Sequence, residues 1–331
     1  MRYILPLFFL VLVSCSEKPQ SLEQVKSSFG PFGKETIKVR PLDYTKTPIY
    51  NAVEHHPEDY EYLNKVDIFS IAHMSDGLFL TGLMVKPKKP GNYPVIVFNR
   101  GGNRDLGSLI VATAVNIMAP IASEGYVVVA TNYRGNSRGE GKEEFGGNDV
   151  NDITNLINSM PEVDMADTSR IGLLGLSRGG MMNYLILKDN HADNIKAVIN
   201  IGGITDLATT IKYHPQIEEV ANDLIPNFSK NRALEIKKRS AIHWASELSK
   251  TAPILILHGM KDEHVDYSQI PAFTDSLEKH DIPFKSISFK DGNHGIIEYK
   301  EDVFVLINDW FGRYVKDSLE FDEPKNREIV K

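Results

Sequence analysis

Gly175-Leu176-Ser177-Arg178-Gly179 decides how this chain is read. It fits the pattern G-x-S-x-G, and its neighbours give the match meaning. Arg170-Ile171-Gly172-Leu173-Leu174 reads as a short buried strand, and Met181 to Lys188 reads as a helix. A serine on a tight strand-to-helix turn has its Oγ lifted clear of the backbone, where a substrate carbonyl can reach it. The flanking glycines permit that turn, because a Cβ there would collide with the strand or the helix. Ser177 is therefore the candidate nucleophile. An ordinary glycine-rich turn also satisfies so short a pattern, so the rest of the chain has to supply its partners.

A serine hydroxyl is a poor nucleophile at neutral pH. It needs a base, and the base needs a group that fixes its tautomer and stabilises its cation. In α/β-hydrolases the order along the chain is serine, acid, histidine. Leu255-Ile256-Leu257-His258-Gly259-Met260-Lys261-Asp262 reads as a strand and a turn that carries Asp262. Asp291-Gly292-Asn293-His294-Gly295 follows the next predicted strand and carries His294. Ser177, Asp262 and His294 each stand just past the C-terminal end of a strand, where open α/β sheets build their sites. Rivals exist. His264 is a second candidate base, whereas His258 closes a strand and suits a role within the fold. Glu263, Asp266 and Asp206 are rival acids.

Acyl transfer also needs donors for the oxyanion. One is expected from the backbone N–H of Arg178, next to the nucleophile. The other is expected from the loop Asn99-Arg100-Gly101-Gly102-Asn103, as an N–H of Arg100 or Gly101. The chemistry needs neither metal nor cofactor. His55, His56, Glu58 and Asp59 cluster in sequence, but adjacent histidines point different ways and no second cluster completes a ligand set, so a solvated loop is the expectation.

Around these motifs the rhythm is regular. Val66 to His73 and Leu78 to Val85 form a predicted hairpin. Strands are predicted at Pro94 to Phe98, Tyr126 to Thr131, Ile195 to Ile201, Pro253 to Leu257 and Phe284 to Phe289. Amphipathic helices are predicted at Leu109 to Glu124 with a kink at Pro120, Asp149 to Ser159, Ser268 to His280 and Glu298 to Val315. Apolar strands alternating with such helices give an α/β fold: a mostly parallel sheet covered on both faces. Residues 205–250 break the alternation as a helical insertion before the acid-bearing strand, placed either over the site as a lid or beside the sheet. Residues 16–65 read as a tether and irregular N-terminal extension, residues 66–315 as the catalytic domain, and 316–331 as a charged, frayed tail.

The chain has 331 residues, 42% hydrophobic and 24% charged, with net charge −7. That is a globular composition without the basic stripe a nucleic-acid partner asks for. At the start, Arg2, the apolar run Ile4 to Val13 and Leu12-Val13-Ser14-Cys15 read as a signal peptide, too short to span a bilayer. Leu-Val-Ser-Cys resembles the lipobox of bacterial lipoproteins, and Cys15 is the only cysteine. The resemblance implies lipidation of Cys15 and a membrane anchor. Ser16 after it favours the outer membrane over the inner, which leaves the periplasmic or surface face open.

From about Pro94 to Tyr314 the chain resembles the catalytic domain of the prolyl oligopeptidase family of serine peptidases. The resemblance is carried by Asn132-Tyr133-Arg134-Gly135 with Gly139, Gly141 and Asp149 to Asp152, by Gly175 to Gly180, by Arg239-Ser240-Ala241 with Pro253 to Val265, and by Asn293-His294-Gly295. It implies an α/β-hydrolase fold and a Ser-Asp-His peptidase that forms an acyl-enzyme. The chain departs from the family in two places. The N-terminal part is too short for the usual β-propeller, and Arg100-Gly101-Gly102 stands where many members have His-Gly-Gly. The first departure leaves room for a carboxylesterase, including one acting on acylated carbohydrate, as dienelactone-hydrolase-like proteins share this domain. A third reading, from another class, is a catalytically inactive surface-binding lipoprotein on the same scaffold. The expected substrate is a short peptide or a small ester.

Overall fold

The computed structural model describes residues 21–188, 194–322 and 326–330. The signal segment and Cys15 lie outside the described residues. The strands are β1 (Ile37–Pro41), β2 (Val66–Ser75), β3 (Leu78–Pro87), β4 (Tyr93–Asn99), β5 (Val127–Thr131), β6 (Ala166–Leu176), β7 (Ile195–Ile201), β8 (Ile254–Gly259), β9 (Phe284–Phe289) and β10 (Asn326–Val330). They form a single ten-stranded sheet in the order β1-β2-β3-β5-β4-β6-β7-β8-β9-β10. The pairs from β1 through β3 to β5 are antiparallel, and every pair from β5 to β10 is parallel. This is the α/β-hydrolase architecture.

The helices are α1 (Leu22–Phe29), α2 (Tyr50–His55), α3 (Val111–Thr113), α4 (Ala119–Ser123), α5 (Val150–Ser159), α6 (Arg178–Lys188), α7 (Leu207–Tyr213), α8 (Gln216–Leu224), α9 (Phe228–Lys238), α10 (Gln269–Lys279) and α11 (Lys300–Phe311). They cover both faces of the sheet because the buried strands are apolar on both. In β4, Val95 and Val97 enter one core while Ile96 and Phe98 enter the other, and β5 divides Val127 and Val129 from Val128 and Ala130 in the same way. One core takes Ile153 and Leu156 of α5 with Ile270, Phe273 and Leu277 of α10. The other takes Met118, Ile121 of α4, and Ile307 and Phe311 of α11. Between α3 and α4 the helix widens into a π-turn at Ala114–Met118. Pro120 follows at once and has no N–H to return to the preceding turn, which accounts for a local change of hydrogen-bond pattern there.

Two expectations are corrected. The N-terminal extension is not irregular: β1 pairs with β2 from Ile37 against His73 to Pro41 against Phe69, and α1 begins with a capping box made by Ser21 and Gln24. Nor is the C-terminal tail frayed throughout, because β10 pairs with β9 from Asn326 against Lys285 to Val330 against Phe289. Both are edge strands. Most of their side chains stay accessible, so they lack the apolar run that marks a buried strand. Residues 205–250 hold α7, α8, α9 and two short 3₁₀ turns.

His73 of β2 lies wholly buried with Nε2 2.7 Å from Thr131 Oγ1. Burial pushes its imidazole down to about 4. A base depressed in the folded state gives its full stability above the unfolded value of 6.5 and loses it as pH falls towards 4. Between pH 7 and pH 5 this one group is expected to remove about 2 kcal/mol of unfolding free energy. Urea denaturation of wild type and His73→Gln checks this. The pH-dependent loss should shrink by about that amount in the variant, and an undiminished loss would acquit His73.

Candidate active site

The chain order switches at β4 and β6, which are neighbours whose next strands lie on opposite sides. Loops leaving their C-terminal ends therefore diverge and open a crevice between them. The Arg100 loop leaves β4 there, and Ser177 leaves β6. Ser177 sits between β6 and α6 with φ +57°, the left-handed region that a non-glycine residue enters only under constraint. Its N–H donates to Ile201 O at 2.8 Å, and its carbonyl accepts from Gly180 N at 2.9 Å. Gly179 shows why the turn requires glycine. A Cβ there would lie 1.9 Å from Asn99 O, so α6 could not approach the end of β4.

Asp262 and His294 come together from the loops after β8 and β9. His294 Nδ1 lies 2.9 and 2.8 Å from the two carboxylate oxygens of Asp262. The Asp262 side chain is fully buried, while that of His294 keeps 19% of its surface exposed. Asp262 Oδ1 also accepts the N–H groups of His264 and Val265 at 2.7 and 2.8 Å. Burial by itself would raise this carboxyl. The hydrogen bond and charge of His294, then the charge of His258 and the Val265 N–H, hold it below its ordinary value. His294 in turn packs on a neighbour of the Ser177 turn: a Cβ on Gly202 would lie 3.0 Å from His294 Nδ1, and Gly202 directly follows the Ile201 that accepts from Ser177.

The rivals have other work. His258 is buried, and its Nε2 lies 2.9 Å from Val265 O and 3.2 Å from Asp262 Oδ2. A carbonyl partner requires a proton on Nε2, and burial pushes the ring below its ordinary value. Asp206 caps α7 through the Ala208 N–H at 2.9 Å, and Asp266 accepts the Ser268 N–H at 3.0 Å just before α10. Glu263 is exposed. His264 stands edge-on to His294 with ring centres 4.9 Å apart, and His214, just after α7, lies 6.3 Å beyond it. Burial first, then the charge of His294, lowers His264 from its ordinary value.

The loop after β4 lies against Ser177. A Cβ on Gly101 would stand 3.0 Å from Ser177 Cβ. The Arg100 side chain is buried and turned back onto its own loop, donating to Gly101 O and Leu106 O at 3.0 Å each. Arg178 is buried as well and pairs with Glu143 and Asp149. Residues 205–250 reach this rim at two points, through His214 and through Asp223 of α8, which pairs with Arg104 at 2.6 Å. Sequence reading did not find Glu143, His214 or the inward turn of Arg100. Glu143 and His214 act through residues remote in sequence, as Arg178 and Glu143 are 35 positions apart, whereas Arg100 turns onto its own loop, which no spacing pattern marks. Among the described residues, no three His, Cys, Asp or Glu side chains group to hold a metal ion, and no helix is long and apolar enough to cross a membrane.

A mostly parallel sheet with a strained serine at its switch point and an Asp–His pair on the loops after β8 and β9 defines a protein of the α/β-hydrolase class. Within that class, the sequence profile of the prolyl oligopeptidase family matches residues 113–318, and the chain belongs to that family. An uncharacterised peptidase of Bacillus subtilis, YtmA, is 27% identical over 229 residues, which cover 69% of this chain and 86% of the relative. Dipeptidyl-peptidase 5 of Porphyromonas gingivalis is 25% identical over 255 residues, covering 72% of this chain and 36% of its own length. Among solved structures, the acylaminoacyl peptidase of Pyrococcus horikoshii superposes with a TM-score of 0.67 at 26% identity, over 81% of this chain and 44% of that one. The chain thus spans less than half the length of these two larger peptidases.

Proposed function

We propose that this protein is a serine peptidase that cleaves short peptides through an acyl-enzyme formed on Ser177. The observation that carries the reading is the buried Asp262 side chain bonded to His294 Nδ1, with that ring packed on Gly202, the residue after the Ile201 whose carbonyl accepts the Ser177 N–H. With Nδ1–H donated to Asp262, the free Nε2 of His294 takes the Ser177 proton as Oγ attacks the carbonyl. His294 then returns that proton to the leaving amine, and a water activated by the same nitrogen clears the acyl group. The oxyanion is met by the Arg178 N–H and by an N–H of the Arg100–Gly101 loop. Asp262 stays ionised throughout the neutral range, which suits it to stabilise the imidazolium rather than to exchange protons. The relatives named peptidases support an amide substrate.

Parallel assays on short aminoacyl amides and chromogenic esters test the reading. Amide turnover supports it, and ester turnover without amide cleavage would replace it with a carboxylesterase. A fluorophosphonate probe that leaves wild type unlabelled would replace it with a binding protein. We also propose that Cys15 carries the lipid that holds the enzyme at the bacterial envelope, on the strength of the Leu12-Val13-Ser14-Cys15 motif. Cys15→Ser is expected to move the protein from the membrane fraction to the soluble fraction. Unchanged membrane association in that variant would refute the anchor.

A further inference from the structure

Three consecutive carbonyls of the loop after β4 are each held by a side-chain donor. Tyr133 Oη donates to Arg100 O at 3.0 Å, Arg100 Nη1 to Gly101 O at 3.0 Å, and Arg178 Nη1 to Gly102 O at 3.2 Å. The three donors also form one packed unit. The guanidinium carbons of Arg100 and Arg178 stand 4.8 and 4.5 Å from the centre of the Tyr133 ring. All three residues are at most 2% exposed. Farther along the loop, Arg100 Nη2 donates to Arg104 O at 3.1 Å, and Glu143, the partner of Arg178, accepts the Arg104 N–H at 2.7 Å.

In a planar trans peptide the C=O and the following N–H point in opposite directions. Pinning the carbonyls of residues 100, 101 and 102 therefore fixes the N–H groups of Gly101, Gly102 and Asn103. The loop bearing them touches Ser177 at Gly101. We propose that Tyr133, Arg100 and Arg178 are positioning residues that clamp this loop, so that its oxyanion donor is aimed at the Ser177 site before substrate arrives. The proposal rests on the reading of Ser177 as the nucleophile. Donors fixed in advance stabilise a developing oxyanion without reorganisation in the transition state. Arg178 then serves both halves of the oxyanion site: its own N–H is one donor, and its side chain secures the loop that brings the other. The clamp also gives Arg100 a function in this chain, since it spends its guanidinium on its own loop.

Tyr133→Phe tests the clamp most cleanly, because it removes one hydroxyl and keeps the ring on which both guanidiniums pack. Its kcat on an amide is expected to fall about 10- to 100-fold, a fraction of the loss when a donor is removed outright. KM should stay within about twofold, and affinity for a peptide aldehyde, which forms an oxyanion adduct on the serine, should fall with kcat. Arg178→Lys, which keeps a charged donor, is expected to retain more kcat than Arg178→Met. Should Tyr133→Phe fail to fold, the Arg178 pair carries the same readouts. The clamp is overturned by a variant whose kcat stays within twofold of wild type, by a rise in KM at unchanged kcat, or by a kcat loss with unchanged aldehyde affinity. Failure of the underlying reading looks different: wild type itself would take no fluorophosphonate label at Ser177.

Discussion

Ser177→Ala is expected to lower amide hydrolysis by about a million-fold, the scale on which removing a triad nucleophile acts. The expected residue of activity is what substrate binding and the oxyanion donors supply without a nucleophile. Folding should be little affected. Alanine keeps a Cβ at the φ of +57°, so the strain of the turn is unchanged, and the Ser177 N–H to Ile201 O bond is made by the backbone. The measurement is kcat/KM on an aminoacyl amide, alongside fluorophosphonate labelling and a thermal melt. A variant that keeps activity within tenfold of wild type, or that still labels, would sink Ser177 as the nucleophile.

Asp262→Asn is expected to lower kcat by about ten-thousand-fold. The carboxylate accepts from His294 Nδ1 and from the N–H groups of His264 and Val265. An asparagine that keeps its oxygen on the two backbone donors must turn its NH₂ towards His294. Nδ1 would then have to accept, the proton would move to Nε2, and that nitrogen could no longer receive the serine proton. The competing account is that Asp262 serves only the fold, through His258 at 3.2 Å and the turn that leads to α10. In that case the melting temperature would drop while kcat measured well below it stayed near wild type. The ratio of the two losses decides between them.

The legible parts of the molecule were those whose physics is local. Val95–Phe98 of β4 and Val127–Ala130 of β5 form strands where their apolar runs mark them out, because strands buried on both faces are apolar throughout. Residues 175–179 were legible for a related reason: a sharp turn between strand and helix demands glycine at fixed offsets. β1 and β10 escaped notice, since Lys38 and Arg40 in one and Arg327 and Glu328 in the other leave little apolar signal. The clamp around the Arg100 loop was also invisible. Tyr133 stands within the motif Asn132-Tyr133-Arg134-Gly135, and nothing in its spacing says that its hydroxyl ends on a carbonyl 33 residues earlier. Side-chain to backbone bonds between distant loops exist only once the sheet has brought β4 and β5 together.

The tenth strand gives the sheet a guarded boundary. Arg327 pairs with Asp275 at 2.6 Å and Glu278 at 3.2 Å on α10, and Glu328 pairs with Lys285 at 3.2 Å on β9. Charges fixed along a border discourage a foreign strand from adding to it. Without residues 326–330, β9 would offer its unpaired peptide groups to any extended segment nearby, a second copy of itself included. β9 is also the strand that leads into His294. Those five residues thus defend solubility at the border next to the strand that leads into His294, and a shortened protein would show the loss first as clumping.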